Sequence, residues 1–112
     1  MASRVHQPLE NEEFDFILGH VPGPVLAYFT GTWPKVAAVC KETDALVREA
    51  ADAYEGRLTA VKADMTRCPG PTSRYGVTSA PWFVLLRDGE VLAAREGSLD
   101  RAGLEEFLDA SL

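Results

Sequence analysis

Two cysteines, Cys40 and Cys68, are the side chains of this chain best equipped to do chemistry. A thiolate attacks disulfides and electrophiles, and its supply depends on local charge and solvent access. Cys68 follows Arg67, whose cation favours the thiolate, and precedes Pro69-Gly70-Pro71-Thr72, where a short helix begins. That context predicts a solvent-reachable loop thiol, either reactive or a passive surface group. Cys40 recurs with Thr43, Val47, Ala50 and Tyr54 at steps of three and four. This is the apolar stripe of a long helix, where a thiol is a nucleophile or a small buried hydrophobe. Other catalytic sets are missing: His6 and His20 lack ligand spacing, and there is no Gly-rich phosphate loop, Ser-His-Asp set or paired carboxylate. No metal and no cofactor are expected.

The elements that position these thiols alternate along the chain. Val5 to Leu9 reads as an edge strand and Glu12 to Leu18 as a helix ended by Gly19, followed by a Pro22-Gly23-Pro24 turn. Val25-Leu26-Ala27-Tyr28-Phe29 is an almost unbroken apolar run, as expected of a central strand covered on both faces. The long helix follows and is closed by Gly56. Leu58 to Met65 is the next strand, and a short helix runs through Arg74-Tyr75. Pro81 to Leu86 and Glu90 to Arg95 form a hairpin about Asp88-Gly89. A last amphipathic helix carries Leu104, Phe107, Leu108 and Leu112.

At 112 residues the chain suits one domain, 1–112, with a single core. The formal net charge of −6, with 11 Lys and Arg residues scattered and never in a run, argues against a nucleic-acid or anionic-membrane partner. No apolar stretch has the length of a membrane span, and Met1 to Pro8 holds no apolar segment of a secretory leader. A cytoplasmic location is therefore expected, in which thiols stay reduced.

The run Ser73-Arg74-Tyr75-Gly76-Val77-Thr78-Ser79-Ala80-Pro81-Trp82-Phe83-Val84-Leu85-Leu86-Arg87-Asp88-Gly89-Glu90-Val91 resembles the thioredoxin pattern Y-G-[IV]-x-x-x-P-T-L-x-x-F-x-x-G. Phe29-Thr30-Gly31-Thr32-Trp33 resembles its F-x-x-x-W, and Cys40-Lys41 its second cysteine and following lysine. The resemblance covers nearly the whole chain. It implies an α/β thioredoxin fold, a central mixed five-stranded sheet flanked by four helices. Counted back from Tyr54, Ala37-Ala38-Val39-Cys40 falls where the family keeps Cys-Gly-Pro-Cys, so the first sulfur is missing. Cys40 stands seven positions after Trp33 instead of four, which makes Pro34-Lys35-Val36 an insertion of three.

With Pro at the first helical position the helix then begins a turn early, leaving Cys40 inside it. Tyr28 takes the place where many thioredoxins bury an acid. By resemblance Pro81 is cis, and Trp33, Ala80, Pro81 and Trp82 border a groove for an extended protein or peptide partner. The same fold brings Cys40 and Cys68 to one edge of the sheet, where a disulfide across their roughly 28-residue loop would stabilise the domain by about 3–4 kcal/mol. The expected function is thus thiol–disulfide exchange through Cys40, Cys68 or both, or a binding module that has lost catalysis. The oligomeric state is left open.

Overall fold

The computed structural model describes residues 5–21 and 23–112. Met1 to Arg4, part of the N-terminal stretch read as holding no secretory leader, and Pro22 of the expected turn lie outside the described residues. The elements are β1 (Val5–His6), α1 (Asn11–His20), β2 (Val25–Thr30), α2 (Pro34–Ala53), β3 (Thr59–Asp64), α3 (Pro69–Arg74), β4 (Trp82–Arg87), β5 (Glu90–Glu96) and α4 (Arg101–Asp109). The sheet runs β1-β3-β2-β4-β5. β1 and β2 lie parallel to β3, whereas β4 runs antiparallel to both β2 and β5. This is the mixed five-stranded sheet of the thioredoxin fold.

Every residue of β2 is buried, because alternate side chains enter two separate cores. Leu26 and Tyr28 join Val47, Phe83, Leu104, Phe107 and Leu108 on the face covered by α2 and α4. Val25, Ala27 and Phe29 join Phe14, Val61, Ala63 and Cys68 on the face of α1 and α3. A sheet packed on both faces explains the unbroken apolar run. The hairpin turns at Asp88 and Gly89, both at positive φ (53° and 81°), the geometry that Asp-Gly adopts at low cost.

Several boundaries differ from the sequence expectation, and α4 ends at Asp109, before Leu112. β1 ends at His6 instead of Leu9. Pro8 offers no N–H to a ladder, and the Leu9 N–H donates to Glu13 Oε1 at 3.0 Å, turning the chain into α1. α1 runs through Gly19 to His20, whose Nδ1 lies 2.8 Å from the Phe16 carbonyl oxygen. α2 starts at Pro34 as the insertion implied but ends at Ala53, short of the expected Gly56, because the Tyr54 N–H caps it on the Ala50 carbonyl at 2.9 Å.

Candidate functional site

β2 and β4 are registered so that Phe29 faces Trp82. The segment leaving β2 and the one entering β4 therefore meet at one end of the sheet. Thr30-Gly31-Thr32-Trp33 runs from there into α2, and Ser79-Ala80-Pro81 runs into β4. The Ala80–Pro81 bond is cis, and the Pro81 carbonyl accepts from the Gly97 N–H at 2.9 Å. Ala80 and Pro81 are buried at the base of this end and Trp82 is half-buried beside them. Trp33 is 36% exposed and folds its ring back over Gly31. A Cβ on Gly31 would stand 2.1 Å from that ring, so only glycine lets the indole lie there.

The start of α2 comes directly after Trp33. The Trp33 carbonyl accepts from Val36 and Ala37 N–H, both at 3.0 Å. Pro34, Lys35, Val36 and Ala37 thus make the first turn, with no sulfur in it. Cys40 is the seventh residue of the helix and 2% exposed. Its carbonyl takes a 2.9 Å bond from the Tyr28 hydroxyl, which also lies 3.3 Å from Thr30 Oγ1. Burial drives the Tyr28 phenol well above its ordinary range, the Thr30 bond opposing and Asp44 and Cys40 adding to the rise. Tyr28 is a neutral prop here and cannot serve as a base.

Cys68 differs from the expected exposed thiol: it is wholly buried. Its N–H closes a turn on the Asp64 carbonyl at 2.8 Å, and Phe14 shares its apolar cluster. Its Sγ lies 3.8 Å from the Pro8 carbonyl oxygen. Burial pushes the thiol up, and the Asp64 and Glu13 carboxylates push it further. The cation of Arg67 stays on the exposed side and does not reverse that sum.

The structure also keeps the two sulfurs apart. Cys68 belongs to the α1/α3 face, while Cys40 rides on α2 above Tyr28 on the opposite face. Both are free thiols, so the cross-loop disulfide considered from sequence is not present. The physical reason is that both ends of the pair are core positions of different layers, with β2 between them.

Sequence reasoning missed one feature beside Cys40. Lys62 Nζ in β3 donates to Asp44 Oδ2 at 2.7 Å. The signal was Asp44 on the helix and Lys62 amid Ala60, Val61 and Ala63 of the next strand. A larger groove, about 500 Å³, lies away from the thiols between α2 and α4, lined by Leu46, Tyr54, Arg101 and Leu104.

With this geometry established, comparison with known proteins decides the kinship: the family model described as Thioredoxin matches residues 5–110. The chain belongs to the thioredoxin family. It is 32% identical over 111 residues to thioredoxin C-2 of Corynebacterium nephridii, covering 99% of this chain and 98% of that one. It is 31% identical over 101 residues to the thioredoxin of Allochromatium vinosum, with 90% and 92% covered. The thioredoxin of Pseudomonas aeruginosa is 32% identical over 90 residues, 80% and 81% of the two chains. Family membership ties the chain to thiol–disulfide redox proteins that act on protein substrates. Among the described residues no helix is long and apolar enough to cross a membrane. None of their His, Cys, Asp and Glu side chains form a group of three or more able to hold a metal ion.

Proposed function

We propose that this thioredoxin-family chain holds an extended protein segment across the end of the sheet bordered by Trp33, Ala80, Pro81 and Trp82, without a two-thiol cycle. One observation carries the reading: the first turn of α2 is Pro34-Lys35-Val36-Ala37, and the two thiols are buried on opposite faces. A mixed disulfide formed by one of them has no neighbouring thiol to release it. Cysteine chemistry is then limited to a single thiol, and Cys40 is the better placed because it lines an open cavity. Action in the cytoplasm, where lone thiols stay reduced, completes the reading.

The test uses alkylated, unfolded insulin B chain as ligand and native insulin as redox substrate. Amide shifts on binding should cluster at Gly31–Trp33 and Ser79–Trp82, and Trp33→Ala should weaken binding. Insulin reduction should not exceed the dithiol reagent alone. Turnover that disappears in Cys40→Ser or Cys68→Ser would refute the reading, as would amide shifts confined to the α2/α4 groove.

A further inference from the structure

α2 and α4 cover the same face of the sheet, and between them runs the groove of about 500 Å³. Its floor is apolar: Ala50 and Leu104 belong to the core, Leu46 packs against that core, and Ala53 is exposed. Tyr54 closes one end, its hydroxyl donating to Asp109 Oδ1 at 2.7 Å. Glu49, Asp52 and Glu105 stand on the rim against one cation among the described lining residues, Arg101. Arg101 Nη2 donates to Glu49 Oε2 at 2.6 Å, bridging α2 and α4. Glu105 makes no ion pair among the described residues. The groove is therefore an apolar trough with an acidic rim. Both walls are helices, which satisfy their own backbones, so the groove offers an incoming chain no ladder to join. An extended segment laid in it would bury unpaired N–H and C=O groups. A helix would bury none.

We propose that this groove docks a basic amphipathic helix of a protein partner. From Leu46 to Ala53 the α2 wall runs through seven positions, about 10 Å, which is two turns of a seated helix. Apolar side chains of the partner, spaced at i, i+3, i+4 and i+7, fill the floor. Its Lys or Arg side chains flank that ridge and reach Glu49 and Asp52 on one side and Glu105 on the other. Arg101 is the built-in competitor. Its pair with Glu49 is more than half exposed at both ends, and an exposed pair is weakly held. A partner cation takes over Glu49, and Arg101 turns out to solvent. The groove is separate from the Trp33 end, so either assignment can fail without the other.

The test is titration of the folded protein with a synthetic amphipathic helix of leucine, alanine and lysine, read by amide shifts. Shifts should cluster on Leu46–Tyr54 and Arg101–Glu105, and the peptide's helicity should rise on binding. Ala53→Phe fills the floor from an exposed position, and Glu49→Lys/Glu105→Lys reverses the rim. Each should weaken binding on the order of tenfold or more. Arg101→Ala should tighten it, because Glu49 is freed for the peptide. The sign separates docking from structure: a variant that merely loosened α4 from α2 would bind less well. A peptide of the same composition with its apolar positions scrambled, or one with glutamate for lysine, should bind about tenfold more weakly or worse. Four results overturn the proposal: shifts confined to another surface, equal binding by either control peptide, weaker binding by Arg101→Ala, or the same shifts produced by spermine alone.

Discussion

Restoring sulfur to the first turn of α2 tests the site most directly. In the variant Pro34→Cys/Ala37→Cys the two thiols stand three residues apart at the helix start, on one face. Their Cα atoms are then about 5 Å apart, inside the range a disulfide accepts. Both parent side chains are exposed, so no core contact is lost. Removing proline at the first helical position costs about 0.4–1 kcal/mol through the unfolded chain. An ordinary thiol with pKa near 8.5 is about 3% ionised at pH 7. The helix end brings such thiols down to about 7 or below. Half ionisation at pH 7 corresponds to roughly fifteenfold more thiolate. The assay is insulin turbidity with a dithiol reductant, run in a Cys40→Ser/Cys68→Ser background to isolate the new pair. The variant should exceed its parent by about tenfold or more on that thiolate ratio, and the parent should match reductant alone. Two results refute the reasoning: a parent as active as the variant, or a folded variant whose pair oxidises reversibly yet never reduces insulin. The second would mean that the Trp33–Pro81 end does not admit a protein segment.

Three further outcomes follow from the side-chain geometry. Tyr28→Phe removes the hydroxyl from the Cys40 carbonyl, at 2.9 Å, and from Thr30; urea denaturation should show a loss of about 1 kcal/mol, since the carbonyl sits within a helix. Cys68 titrates higher when folded than its ordinary value, so its contribution is complete below about pH 8.5 and is lost as pH rises towards the native value. Melts from about pH 8 to 10 should therefore fall more steeply for wild type than for Cys68→Ala. Gly31→Ala must displace the Trp33 ring, whose atoms lie within 2.1–2.6 Å of the added Cβ. Because that ring is at the surface, tryptophan fluorescence and B-chain binding should change far more than the unfolding midpoint.

What the sequence made legible was whatever rested on local periodicity. The apolar run from Val25 to Phe29 in β2, the Asp88-Gly89 turn and the seven-residue step from Trp33 to Cys40 each announced an element that exists. The burial of Cys68 was illegible for a tertiary reason. Its sequence neighbours, Arg67 and Gly70, are exposed and read as a loop. The residues that enclose and polarise the sulfur, Pro8, Glu13 and Phe14, arrive from more than fifty positions away. The same holds for Lys62 and Asp44, paired across 18 positions.

The extra turn of α2 explains why this chain's thiol chemistry must differ from that of a helix-end pair. Cys40 lies six positions after Pro34, which places the sulfur-bearing residue about 9 Å along the axis from the helix start. The helix field acts within about one turn of the end, so Cys40 draws no anion stabilisation from it. The free positive end is left beside Trp33 and Lys35, at the surface where a partner segment would lie. Cys40, only 2% exposed, is closed to a bulky protein disulfide. The binding surface and the Cys40 sulfur are thereby uncoupled, where a thiol at the helix start would have joined them.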